Sequence, residues 1–263
     1  MPFTAGGYIF AFMIKSFLIV FSFISAIPIP VRFIPSWTPA NLRYFCVMLP
    51  VAGVIFGLLW AVSWQILSYV PAISPTLRGF VMMILTLAIT GGIHLDGLMD
   101  TCDAIFSRRD KATRLKILSD THAGSFAVMA CVVALMAKTL LFAELFTLNT
   151  THYPLPTILT IPIYSRLGMA IILNNLPFAK SGGLAVILGS SRNRRDNLAF
   201  LAMFLAISFM SGLAVMSTFT LCLACHVIIC LQVFGGITGD LLGAFVEASE
   251  IFMLSGMVIM SCI

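Results

Sequence analysis

Charge is what this sequence lacks. Only 10% of its 263 residues are Asp, Glu, Lys or Arg, whereas 60% are hydrophobic. A soluble domain carries about 25% charged residues. A domain of this length needs a polar surface, so the composition excludes a soluble globular protein. Short alternating segments are lacking too, because the apolar runs are long and continuous, which excludes a porin-type barrel. What is left is an all-α, polytopic helical transmembrane bundle, read as a single integral membrane domain over 1–263. No internal repeat, low-complexity tract or soluble domain breaks it. The Met1 end has no basic stretch followed by a small-residue cleavage site, so no removable signal peptide is expected. Seven cysteines, an odd count lying mostly in apolar runs, read as buried thiols rather than a disulfide framework. The net charge of +5 reads as loop bias and contact with membrane lipid, not as a nucleic-acid patch.

The apolar runs predict about seven to eight membrane segments. They are Ile9–Ile29 (a span or a re-entrant segment), Tyr44–Val70 with Pro50 as a kink, Arg78–Ile93, Gly124–Leu148, Thr157–Leu176, Leu198–Val233 and Leu241–Ile263. Leu198–Val233 is long enough for two spans with a tight turn near Ser217. The loops alternate in charge. Those with Arg32 and Arg43, with residues 91–124, with Arg192 to Arg195 and with Asp240 share one side, and the nearly uncharged loops near 74, 152 and 217 share the other. The positive-inside rule assigns the charged side to the cytoplasm. Lys138 and Glu144, six apart inside one span, are poorly placed for a helical pair, so snorkelling is expected of them. Arg166, in the middle of a span, is costly there and points to a phosphate or aspartate partner.

What charge there is has been concentrated. Residues 91–124, GGIHLDGLMDTCDAIFSRRDKATRLKILSDTHAG, hold five of the ten acids and five of the fifteen basic residues. Asp96, Asp100 and Asp103 are four and three apart, which puts three carboxylates on one helix face. Such a cluster repels itself unless protonated or neutralised. A hard divalent cation neutralises it, and Mg²⁺ in particular binds through few carboxylates plus water and phosphate oxygens. Asp120 adds a fourth carboxylate, and His94 is either a ligand or a structural histidine. Arg108, Arg109, Lys111, Arg114 and Lys116 follow at once. Cations beside a metal site suit a polyphosphate substrate, and juxtamembrane lysines and arginines also suit anionic lipid.

GGIHLDGLMDTCDAIFSRRDK followed by KILSDTHAGSFAV resembles the signature of the cobalamin synthase family, the adenosylcobinamide-GDP ribazoletransferases. SAIPIP ending at Pro30, Ser165-Arg166, LPFAKSGGL (176–184) and GGITGDLLGA (235–244) extend the likeness over most of the chain. Ala104 stands where the family usually has glycine, His122 where it has arginine, and Gly182 where an acid is common. A neutral histidine at 122 would still donate a hydrogen bond.

The resemblance implies a bacterial inner-membrane enzyme with its active site toward the cytoplasm. Its substrates would be adenosylcobinamide-GDP and α-ribazole or the 5′-phosphate. The ribose hydroxyl attacks the cobinamide-side phosphoryl and GMP leaves, giving the cobamide. The required parts are a metal, a base and cations. On that reading Asp96, Asp100 and Asp103 hold Mg²⁺, and Asp103 or Asp120 is the base. His94, Arg108, Arg109, Lys111, His122, Arg166, Lys180 and Asp240 bind substrate. A second copy of the chain or a membrane enzyme of the same pathway is the expected protein partner.

Asp-x-x-Asp is shared with membrane CDP-alcohol phosphotransferases, but the longer motif does not match theirs. A cation-coupled transporter would place its acids near the midplane at a repeat interface, whereas these sit at one membrane edge. Cys222-Leu-Ala-Cys225-His226 matches a haem-attachment pattern but lies in an unbroken apolar run. Glu247 and Glu250 share a helix face. Glu247 is the one that could face the site, and Glu250 lies deeper, protonated or paired. Fifteen methionines and twenty-two phenylalanines read as packing and lipid-facing residues.

Overall fold

In the computed structural model of the chain, residues 5–70, 72–148 and 155–261 are described. They form eleven α-helices and, among the described residues, no strand longer than a single bridge. The helices are α1 (Ala5–Ile24), α2 (Pro39–Leu42), α3 (Phe45–Ser68), α4 (Pro75–Thr90), α5 (Ile93–Phe106), α6 (Lys111–Ile117), α7 (Ser125–Thr147), α8 (Leu155–Asn175), α9 (Leu184–Leu188), α10 (Asp196–Ile228) and α11 (Gly239–Ser261). Short polar signals start several of them. Thr38 and Ser74 cap α2 and α4 with proline at the first helical position, where the missing N–H costs nothing. Asp110 caps α6 through the Thr113 amide. Pro50 lies inside α3, as expected. The loop near 152 falls outside the described residues.

Five helices, α3, α7, α8, α10 with its extension to Phe234, and α11, are long and apolar enough to cross a membrane, and α4 with α5 forms a sixth candidate as a pair bent by 93°. The bend has a local cause. Gly91 and Gly92 both hold left-handed backbone, φ 62° and 79°, which side-chain-bearing residues rarely adopt. The Arg78–Ile93 run therefore ends at the pair, and the carboxylate helix α5 leaves its axis at a right angle.

α10 is not one straight rod. Gly212 has φ 77° and ψ 165° in its middle. The Phe204 and Phe219 rings lie 6.2 Å apart, although fifteen residues of straight helix would separate them by about 22 Å. Both rings pack on Tyr164, whose hydroxyl pairs with Ser208 and Ser211. The chain thus reverses at Gly212. The expected two-limbed reading of Leu198–Val233 holds, with the turn five residues earlier than Ser217. Phe209, beside that turn, is 95% exposed, as a lipid-facing tip would be.

α11 is the centre of the bundle and touches α5, α7, α8 and α10. Within it lies a buried ionic network. Lys138 of α7 pairs with Glu247 at 2.6 Å and with Glu250 at 2.7 Å, and Arg166 of α8 pairs with Glu250. Ser165 also donates to Glu250, and the Arg166 guanidinium lies over the Phe56 ring of α3. Lys138, Arg166 and Glu250 are each 2% exposed. Two cations and two anions balance. Snorkelling of Lys138 is thereby corrected: its partners are 109 and 112 residues away, not Glu144.

Candidate active site

α5 carries Asp96, Asp100 and Asp103 on one face, as the spacing predicts. Its opposite face bears Leu98, Cys102 and Phe106, which line an apolar groove of about 510 Å³ against α7 and α11. A third face meets α11 at van der Waals distance. A Cβ at Gly97 would lie 2.6 Å from the Asp240 carbonyl oxygen, and one at Gly243 would lie 3.2 Å from the His94 Cα. This crossing brings Asp240, from the first turn of α11, to the α5 carboxylates. The charges of Asp96, Asp240, Asp103 and Asp120 all act on the partly buried Asp100 carboxyl. The site is a concentration of negative charge.

The two late loops are stitched beside it. Ile237 donates its amide to Pro177 and accepts from the Ala179 amide, a single parallel bridge between Phe178 and Ile237. That bridge places Lys180, whose ammonium donates to Ser119 at 2.5 Å and whose charge acts on Asp240. Thr238 donates to the Asp240 carboxylate. The Lys111 ammonium lies over Gly235 of the same loop. Segments near 96–120, 180 and 240 therefore meet at one end of the bundle. The Pro-rich segment joins them, because the Ala26 amide donates to Ile89 and the Ala26 Cβ stands where one at Gly91 would go.

The remaining expected residues divide. Asp103 is committed to backbone: one oxygen accepts from the Gly124 amide at 2.6 Å, the other from Ala127 at 2.9 Å. It satisfies two of the unpaired N–H groups that open α7. Asp120 stands at the rim and accepts from the amide and ring of His122, at 3.0 and 2.8 Å, which hold its carboxyl below the usual range. Arg108, at φ 54°, and Arg109 are exposed just past α5 and have no ion-pair partner among the described residues. Two residues are not at the polar face. His94 is 3% exposed and turns inward toward the ionic network, its Nε2 without a partner. Arg166, expected to meet a phosphate or an aspartate, instead has Glu250 as its buried partner. Sequence reasoning missed Ser119 and Thr238, which orient Lys180 and Asp240. Nothing in their own neighbourhoods marks them.

A family model described as cobalamin-5-phosphate synthase matches residues 16–258. The chain belongs to the cobalamin-5-phosphate synthase family. Three curated relatives are each called adenosylcobinamide-GDP ribazoletransferase. That of Geobacillus sp. (strain WCH70) is 34% identical over 91% of this chain and 93% of its own. That of Halalkalibacterium halodurans is 31% identical over 91% and 94%, and that of Klebsiella pneumoniae is 32% identical over 92% and 98%. No solved structure matches. The cobalamin-5-phosphate synthase match runs from α1 into α11, so it contains every residue of the site.

Among the described residues no three His, Cys, Asp or Glu side chains close into a metal cage. The donor chemistry nonetheless suits a hard cation bound in the open. Asp96, Asp100 and Asp240 offer oxygen only, and the charges of Asp96 and Asp240 both act on the Asp100 carboxyl. An ion such as Mg²⁺ keeps several waters and is completed by substrate phosphates rather than by an all-protein cage.

Proposed function

We propose that this chain transfers the adenosylcobinamide phosphate group from adenosylcobinamide-GDP to α-ribazole or its 5′-phosphate and releases GMP. The observation that carries the reading is the meeting of the α5 carboxylates with Asp240, Lys180 and Lys111, drawn from three distant segments to one end of the bundle. Asp96, Asp100 and Asp240 would hold Mg²⁺, which when bound polarises the pyrophosphate oxygens and offsets the charge of the bond-breaking step. Asp103 positions this set by tying α5 to the start of α7. Lys180, Lys111, Arg108 and Arg109 supply cations for phosphate oxygens that the carboxylate side repels. The attacking ribose oxygen forms a bond to the cobinamide-side phosphorus as the bond to GMP breaks. Its proton passes to a carboxylate at the rim, and Asp120, held by His122, is the base assigned. The charged end faces the cytoplasm of a bacterial inner membrane, in keeping with its lysines and arginines.

The test uses purified full-length protein in lipid vesicles with adenosylcobinamide-GDP, α-ribazole and Mg²⁺. GMP and the joined cobamide should appear in equal amounts, and a chelator should stop both. Folded protein that releases no GMP under these conditions ends the reading.

A further inference from the structure

A second polar cavity opens at the charged end, apart from the α5 carboxylates. Its volume is about 260 Å³, and it lies between the start of α3 and the turn that leads into α10. Five of its lining residues matter: Arg43, Tyr44, Arg192, Asn193 and Asp196. Arg192 is held in advance. Its guanidinium stacks on the Phe178 ring at 3.7 Å, and one terminal nitrogen donates to the Leu176 carbonyl. Its Nε is buried and has no partner. A fixed planar donor with a hydrogen left to give is an incomplete arrangement. Asp196 and Arg43 have no ion-pair partner among the described residues. Asn193 is pinned through its backbone, donating to and accepting from the Asn174 side chain, and its side-chain oxygen accepts from the Arg195 amide, which leaves its side-chain nitrogen to donate.

The cavity is mechanically joined to the carboxylate site. Phe178, which carries Arg192, is the residue bridged to Ile237. Ile237 is three residues before Asp240, at most about 10 Å along the chain. A ligand with a base in the cavity and phosphates at the carboxylates would run along that bridge.

We propose that this cavity holds the guanine base of the nucleotide half of the substrate, with Asp196, Arg192 or Arg43, and Tyr44 as its reading groups. This rests on the proposed use of a GDP ester. Guanine presents two adjacent donors on its pairing edge and two adjacent acceptors, O6 and N7, on the other. A carboxylate takes the first pair and an arginine the second, while an aromatic ring accepts the flat face. Adenine would turn a lone pair toward Asp196. The ribazole base has no such polar edges, so it does not suit a cavity lined by two arginines, an asparagine and an aspartate.

The experiment measures binding, so it does not depend on turnover. Purified full-length protein in vesicles is titrated with GMP, IMP, AMP and inorganic phosphate. IMP lacks the exocyclic amine, so the expected order is GMP, then IMP, then AMP, with phosphate weakest. Asp196→Asn should lower GMP affinity roughly tenfold or more, collapse the preference over AMP, and raise the KM for adenosylcobinamide-GDP while the KM for α-ribazole holds. Arg43→Gln, a change on an exposed side chain, supplies the same readout independently of the α10 start. Equal binding of GMP and AMP by wild-type protein, or GMP affinity and KM unchanged in both folded variants, overturns the assignment. Guanine-selective binding that needs Asp196 in a protein that releases no GMP would uphold the cavity and remove the proposed reaction instead.

Discussion

Replacing Lys138 by methionine tests the buried network most directly. Lys138 is held between two carboxylates at 2.6 and 2.7 Å, and the side chains of Lys138, Glu247, Glu250 and Arg166 are all less than one-tenth exposed. Methionine keeps the length of the side chain and removes the charge. Glu247 then has no cation within ion-pair distance among the described residues, and a balanced set of two and two becomes one cation against two anions. Breaking a buried pair by removing one partner costs about 3–5 kcal/mol, because the other charge is left uncompensated. At roughly 2–4 °C per kcal/mol for a chain of this size, Tm should fall by about 6–20 °C. Thermal unfolding in one detergent, followed by tryptophan fluorescence or monomer recovery, measures it. The diagnostic result is the double variant. Lys138→Met with Glu247→Gln restores neutrality and leaves Arg166 paired with Glu250, so it should recover most of the loss. A single variant as stable as wild type, or a double variant no better than the single, refutes the charge-balance argument.

Asp100→Asn should cut GMP release at least about a hundredfold, the scale expected when a group acting on transition-state charge is lost, while the protein still inserts and melts near the wild-type temperature; wild-type turnover removes Asp100 from the metal site. Asp103→Ala should lower stability by about 0.5–2 kcal/mol through loss of the α7 cap, and Asp103→Asn should lose less, since its amide oxygen still accepts one bond; equal losses would show that the cap geometry is not what holds the residue. Gly97→Val should cost about 1–3 kcal/mol and impair turnover by moving Asp240 away from α5, because its Cβ would meet the Asp240 carbonyl at 2.6 Å; unchanged Tm and turnover would mean the crossing is loose.

Much of this architecture was legible because its causes are local. Apolar runs predict the helices and the 4-and-3 spacing predicts the shared carboxylate face, whereas the right-angle turn at Gly91 and Gly92 interrupts a run that was expected to continue to Ile93. The reversal within α10 was legible in kind but misplaced. Leu198–Val233 is evenly apolar, and its only glycine, Gly212, is the informative residue, since it alone tolerates φ near 77°. Pairings between distant segments left no such mark. Lys138 and Glu250 are 112 residues apart, so a search along one helix could not find the pair. Asp103 follows the same logic. Its place on the face follows from spacing, but its bonds to Gly124 and Ala127 depend on where α7 begins in space.

The ionic network also bears on how the protein is made. Synthesis proceeds from α1 to α11, so α7 and α8 reach the bilayer carrying Lys138 and Arg166 before either of their carboxylate partners exists. Both anions arrive on α11, together with Asp240. Until then two bare cations sit at membrane depth, a costly state. A truncated or stalled chain keeps them unpaired and also lacks a corner of its polar site. Insertion of α11 neutralises the interior and completes the site at once, so a product that lacks it is marked by its own buried charge.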